Sequence, residues 1–345
     1  MAEKPTITDV AREAGVSIAT VSYVFNGKKS ISAETRGRVM AAVEKLDYVP
    51  NLSARSLSGN DSLLIGVCVP QTEQGSALMF QNGFYGEILG AIEYEARIHG
   101  YHLLISGTNP EESYLDLARK RDLDGIIAIG VYPSEFYTKA GQSRIPLVLV
   151  DSYCPGQHNH SIRIDDTYAG FLAARYLLDK GHRAIAFFCG QLRDDGVMRK
   201  RLDGYKQALQ SAGTPYNEKR VYEGRVEYQS GAESAKALMC AQTKATAVLA
   251  AADILAIGAV SAFEKEGWRV PGDISVMGFD DLEIAQYVPP GLTTVHQQIA
   301  QKGKKAVELL VQSIKEPGLT KREEILPVNI VERGSVRDLK GGGAM

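Results

Sequence analysis

The chain has 345 residues, 44% hydrophobic and 23% charged, with a net charge of −2, the balance of a globular protein too long for one ordinary domain. No apolar run reaches the roughly 18 residues that a bilayer span needs, and the first residues lack the basic stretch and apolar core of a secretory signal, so the expected location is cytoplasmic, with no membrane partner. Four scattered cysteines (Cys68, Cys154, Cys189, Cys240) contain no Cys-x-x-Cys pair, which argues against zinc and disulfide frameworks and for buried free thiols; neither a metal nor a cofactor is expected.

Residues 1–60 hold eight Lys/Arg against six Asp/Glu, a net +2 that leaves −4 for the remainder; the tilt suits DNA binding without establishing it. Three short amphipathic helices follow one another here. Thr6 and Asp9 form a capping-box pattern ahead of a helix to about Ala14 that buries Ile7, Val10 and Ala11. Gly15 supplies the turn, and Ser17 can cap a second helix to about Asn26. On that helix Val21, Val24 and Phe25 share one side, while Ile18, Ala19, Ser22, Tyr23 and Asn26 share the other. A packed back and a small, polar and aromatic front, one tight turn after another helix, suit a DNA major groove. Ser32 caps a third helix that buries Val39, Ala42, Val43 and Leu46. Gly37 inside it costs about 1 kcal/mol relative to alanine. A generic three-helix domain that binds protein, or nothing, fits the same pattern.

The residues themselves go further. Thr-Ile-Thr-Asp-Val-Ala-Arg-Glu-Ala-Gly-Val-Ser-Ile-Ala-Thr-Val-Ser-Tyr-Val-Phe-Asn (6–26), Ile-Ser-Ala-Glu-Thr-Arg (31–36) and Tyr-Val-Pro-Asn (48–51) closely resemble the headpiece of the lac repressor and galactose repressor (LacI/GalR) family. The resemblance implies a helix-turn-helix headpiece over 1–50, with Ile18, Ala19 and Tyr23 reading bases and Ser22 and Asn26 on phosphates. It also places Thr6, Ser17 and Thr20 at the DNA. Ile18 and Ala19 have no hydrogen bond to offer a base edge and would read thymine methyls or groove shape, and Tyr23 offers one hydroxyl. Residues 51–61 match the family's hinge helix and linker, which alone is too short to hold a helix in water. The resemblance implies that two copies pack in the minor groove, Leu57 as the wedge, Ala54 as the small packing residue and Arg55 near phosphates. A flexible linker with an incidental leucine is the bland alternative.

From Ser62 strands and helices alternate. Strands are predicted at Leu63–Val69, Tyr101–Ser106, Gly125–Ile129 and Pro146–Val150, with helices at Phe84–His99 and Glu111–Asp122. A second series has strands Ala184–Cys189, Ala247–Ala250 and Ile274–Gly278, and helices Tyr168–Lys180, Arg199–Ala212, Gln229–Cys240 and Asp253–Glu266. Continuous apolar strands between helices mean parallel sheets covered on both faces, and two series mean two α/β lobes with ligands bound beyond the strand ends, in the cleft between them. A dehydrogenase or small-molecule kinase would share the alternation, but no Gly-x-Gly-x-x-Gly opening a helix, phosphate-cradling loop or Gly-x-Ser-x-Gly elbow is present. No enzyme is expected.

Gly-Tyr-His-Leu-Leu-Ile-Ser (100–106), Ile-Pro-Leu-Val-Leu-Val-Asp (145–151), Lys-Gly-His-Arg-Ala-Ile-Ala (180–186), Val-Met-Gly-Phe-Asp-Asp (276–281) and Leu-Thr-Thr-Val-His-Gln (292–297) resemble the periplasmic-binding-protein-like core of the same family. That implies an N-lobe of about 62–163 plus 295–325, a C-lobe of about 164–294 plus 326–338, and a tail from 339. It nominates Asp151, Arg201, Asp280 and Gln297 as effector-binding residues, with Phe84 and Tyr85 beside them. Carboxylates and a forked guanidinium can bind adjacent hydroxyls of a sugar or sugar phosphate; each charge could equally serve an ion pair. Two positions depart from the family. Ala252 stands where a ligand-facing amide is usual, and Val226 where an aromatic often stacks. The resemblance implies a repressor that binds a near-palindromic DNA operator as a homodimer, the ligand shifting the population between lobe arrangements. A solute-binding receptor shares the core but predicts an export signal and no headpiece. A core that senses a partner protein is the other alternative.

Overall fold

A computed structural model of the chain describes residues 5–25, 31–48, 62–70, 82–108, 114–130, 132, 134–141, 143–153, 159–194, 196–241 and 244–340. Three helices open it: α1 (Ile7–Ala14), α2 (Ile18–Phe25) and α3 (Ala33–Lys45). The Thr6 hydroxyl donates to the Asp9 carboxylate at 2.7 Å, and that carboxylate accepts the Thr6 N–H at 2.9 Å, so the first helix starts where the capping pattern put it. Gly15 takes a φ of 65°, and the Ser17 hydroxyl accepts the Thr20 N–H at 3.1 Å to start α2. Val10, Ala11, Ala14, Val21, Val24, Val39, Ala42 and Tyr48 form the core of this unit. Ile7, Val43 and Leu46, predicted to be buried, lie on its rim and are only half-buried, because three short helices enclose little volume.

Gly37 has open space where a Cβ would go. Gly37→Ala is expected to raise the melting temperature of the headpiece, through about 1 kcal/mol of stabilisation; a thermal melt that shows no rise would remove the argument.

Two parallel sheets follow. One has six strands in the order β11-β5-β4-β3-β1-β2, formed by β1 (Leu64–Pro70), β2 (His102–Thr108), β3 (Gly125–Ile129), β4 (Leu147–Val150), β5 (His160–Ile164) and β11 (Glu323–Leu326). The other runs β7-β6-β8-β9, from β6 (Ile185–Cys189), β7 (Val221–Glu223), β8 (Ala247–Ala250) and β9 (Ser275–Met277). An antiparallel pair, β10 (Thr294–His296) and β12 (Asn329–Val331), lies beside β9 through a bridge from Met277 to Thr293. Helices α4 (Gly83–Ile98), α5 (Tyr114–Arg121), α6 (Ser134–Gly141) and α11 (Ile299–Lys315) accompany the first sheet, and α7 (Asp166–Asp179), α8 (Val197–Ser211), α9 (Tyr228–Cys240) and α10 (Asp253–Lys265) the second. The chain passes between the sheets after β5, after β10 and after β11.

The central strands are wholly buried, as their unbroken apolar runs require. The sequence reading did not resolve β5, β7, β10, β11, β12, α6 or α11. Cys240 corrects the expectation of buried thiols: it is exposed at the last turn of α9, whereas Cys68 and Cys189 are buried. Cys154, Asn26, Ala54, Arg55 and Leu57 lie outside the described residues.

The lobes also touch at the first turn of α4. A Cβ on Gly83, at the start of α4, would meet the Leu282 side chain at 3.1 Å, and the Glu87 carboxylate accepts the Glu283 N–H at 2.9 Å.

Candidate functional site

The second helix of the headpiece presents a reading face. Val21 and Val24 are buried, while Ile18 and Tyr23 are 48% and 42% exposed, with Ala19 exposed between them. Ser22 is half-buried. The Ser17 and Thr20 hydroxyls bond each other at 2.9 Å, and Thr6 is committed to its capping box, so these contacts fix the starts of α2 and α1. Arg36 on α3 reaches the Val24 carbonyl at 3.4 Å and Lys45 pairs with Glu13 at 2.6 Å, which fixes α3 across the other two helices.

In the core the nominated polar residues meet in one buried network between the sheets. Asp151 follows β4 with a backbone φ of 52°, which turns it out of the strand direction, and it is 7% exposed. Its two carboxylate oxygens accept from the Lys302 ammonium at 2.7 and 2.9 Å. Lys302 also donates to the Gln297 side-chain oxygen, and the Gln297 amide N–H donates to Asp280. Asp280 in turn lies 3.8 Å from the Arg201 guanidinium. Arg201 donates to Asp166 at 2.8 Å and to the Ala251 carbonyl at 2.6 Å, and its guanidinium stacks 3.7 Å from the centroid of the Phe279 ring.

The depth of Arg201 is set by glycine. A Cβ on Gly170 of α7 would fall 2.2 Å from the Arg201 carbonyl oxygen, so the two helices approach backbone to backbone at this residue. Asp166, the first residue of α7, is then within reach of the guanidinium, where the helix N-terminus also favours its charge. The Tyr153 hydroxyl completes the carboxylate, donating to it at 2.9 Å.

Three buried carboxylates thus share two cations. Burial pushes the Asp280 carboxyl well above the usual carboxylate range, outweighing the downward pull of Arg201 and Lys302. Burial raises Asp151 too, against the pull of Lys302. The Tyr85 phenol is pushed up to about 12 by burial and by the Asp151 and Asp280 carboxylates, which places it at the same network. Phe84 meets Tyr85 edge-to-face at 5.4 Å and lies 5.9 Å from the Lys302 ammonium.

Of the nominated residues, Phe84, Tyr85, Asp151, Arg201, Asp280 and Gln297 are brought together. Ala252, buried at the start of α10, joins them through its neighbours: the Ala251 carbonyl accepts from Arg201 and the Asp253 N–H donates to Asp280 at 3.4 Å. Val226 sits apart, packed so closely on Gly190 that a Cβ there would be 2.4 Å from its methyl. Lys302 and Asp166 went unread in the sequence. The signal for Lys302 was a lysine on the apolar stripe Ile299, Gly303, Ala306, Val307, Leu310 of α11.

Among the described residues no group of His, Cys, Asp and Glu could hold a metal ion, and no helix is long and apolar enough to cross a membrane.

Residues 6–51 match the model of bacterial regulatory proteins of the lacI family, and residues 174–336 match a periplasmic-binding-protein-like domain. The ribose operon repressor of Haemophilus influenzae is 34% identical over 340 residues, which cover 97% of this chain and 99% of that protein. The transcriptional repressor PurR of Photobacterium profundum is 32% identical with the same coverage. A lac repressor dimer bound to operator and an anti-inducer superposes with a TM-score of 0.81 at 29% identity, over 97% of this chain and 100% of that one. A complex of the regulator CelR with cellobiose gives 0.71 at 27% identity, over 96% and 99%. With a reading helix at one end, a two-lobed core after it and relatives matched along nearly their whole length, the chain belongs to the lacI family of DNA-binding transcriptional regulators.

Proposed function

We propose that the protein is a transcriptional repressor that binds a near-palindromic operator as a homodimer and answers to a small, hydroxylated effector, a sugar or sugar phosphate, in the cleft between its lobes. The observation that carries the reading is the α2 face: Ile18, Ala19 and Tyr23 stand exposed on a helix whose opposite side is the core of the headpiece. One headpiece reads a half-site, so two-fold symmetry of operator and protein go together. Tyr94 and Ile98 on α4, each 58% exposed, and Ile105 on the neighbouring edge strand β2 are apolar surface that a second copy would cover. Ser22 and Asn26 are assigned to phosphates, with Ala54, Arg55 and Leu57 at the operator centre.

The cleft supports a hydroxylated ligand because carboxylates, a guanidinium and an amide converge there from both lobes. The effector acts by binding two lobe arrangements unequally, and the lobe angle sets how close the two hinges lie.

The test is operator selection from a randomised pool, with the recovered DNA titrated in the presence of sugars and sugar phosphates. Tyr23→Ala is expected to relax preference at one or two operator positions by about 1 kcal/mol each, while the salt slope of binding stays nearly constant. An unchanged consensus, or a consensus lost at every position together, would refute the assignment of Tyr23 to bases.

A further inference from the structure

Lys302 is the one charged residue on the buried stripe of α11, and its side chain is wholly shielded from solvent (0%). An ammonium in such a place persists only where carboxylate and carbonyl oxygens replace its water. Here its donors go to both oxygens of Asp151 and to the Gln297 side-chain oxygen, with the Phe84 ring alongside. Asp151 and Gln297 are the groups that the cleft, read as an effector site, would offer to a ligand. They are already occupied, by the chain itself.

We propose that Lys302 is a built-in ligand of the cleft and a specificity-determining residue: its ammonium satisfies Asp151 and Gln297 from within, so the lobes close without an effector, and an effector that reaches Asp151 must displace it. The inference rests on the effector-cleft reading. Continuity of the network gives it its reach. Gln297, held by Lys302, passes its amide N–H to Asp280, which adjoins Arg201, so the tethered cation ties groups at the six-stranded sheet to groups at the four-stranded one. A neutral hydroxyl arriving at Asp151 would exchange an ion pair for a hydrogen bond from an uncharged donor, and the cleft therefore selects against ligands that bring one hydroxyl and nothing for the displaced ammonium. The core segments outside the described residues contain no lysine or arginine.

The test uses the full chain with no effector added. Backbone hydrogen exchange is read in 83–88 and 279–284, the segments that meet where Gly83 and Glu87 touch Leu282 and Glu283. The parent is expected to be protected in both. Lys302→Met, which keeps the apolar stripe and removes the charge, is expected to exchange about tenfold faster or more in both segments, the loss of one charge-assisted contact. Lys302→Met combined with Asp151→Asn removes both buried charges, and is expected to fold and to remain open; it serves where the single variant folds poorly. In Lys302→Ala, n-propylammonium is expected to restore protection and 1-propanol is not, a distinction that space-filling alone would not produce. Parental protection in both methionine variants, or equal rescue by the alcohol, overturns the proposal. Because no effector is present, these outcomes are independent of the sugar titrations that test the cleft reading.

Discussion

Replacing Arg201 with methionine is expected to lower the unfolding free energy of the core by about 3–5 kcal/mol, the cost of removing one partner from a buried ion pair. Asp166 and Asp280 are almost wholly buried, and the guanidinium is the cation nearest to both. Without it Asp166 keeps the Tyr153 hydroxyl and its own helix terminus, and Asp280 keeps the Gln297 amide and the Asp253 N–H. Arg201→Lys is expected to recover little, since a single ammonium cannot give one bond to Asp166 and another to the Ala251 carbonyl while lying flat on Phe279. Removing the charges together should be far milder than removing one. Arg201→Met with Asp166→Asn and Asp280→Asn is expected to regain most of the loss, because the penalty comes from the orphaned carboxylates. Urea titration of the core at neutral pH reads all of these, with an unchanged m-value showing that the native fold is still the one being unfolded. A loss below about 1 kcal/mol would mean that water reaches Asp166 and Asp280, and the cleft would then be open in solution.

The same network shows where sequence reading succeeds and where it stops. The headpiece was legible because its determinants are local: the Thr6 capping box, the Gly15 turn, the Ser17 cap and the split faces of α2 lie within a few residues of their effects. Asp151, Arg201, Asp280 and Gln297 came through resemblance, and the structure joins them. What the sequence left open is which of them face a ligand and which face each other. That depends on Lys302, whose partner Asp151 is 151 residues away, and on Asp166, brought under Arg201 by two glycines in different helices. The short strands β5, β7 and β11 escaped for a related reason. Each has three to five residues, and β11 finds its place only by pairing with β5, far behind it in the chain. A lysine on an apolar stripe was the one local clue, and charge on a helix is by habit read as solvated surface. The buried network also alters what the cleft residues imply, for ion pairs within the chain and contacts to an effector are competing uses of the same oxygens.

Gly204→Ala is expected to destabilise the core by about 3 kcal/mol or more, at the upper end of what one added methyl does in a packed interior. The new Cβ would fall 1.9 Å from the Thr167 carbonyl oxygen and 2.6 Å from the Phe171 nitrogen, both backbone atoms of α7, so no rotamer change relieves the clash. The helices must part, and the consequence reaches the cleft. Gly204 is one turn beyond Arg201 on α8, while Asp166 begins α7, so a displacement of one helix from the other lengthens the 2.8 Å contact between guanidinium and carboxylate. Gly204→Ala should therefore resemble a weakened Arg201→Met in lobe closure as well as in stability. When the two substitutions are combined, the losses should fall short of their sum, because the second finds the contact already impaired. Gly37→Ala gives the opposite sign from the same chemical change, since the methyl in α3 enters open space. Urea unfolding of the three variants separates the effects of helix propensity from those of helix spacing. Additive losses for Gly204→Ala and Arg201→Met would show that the close approach of α7 and α8 serves packing alone and does not set the depth of the guanidinium.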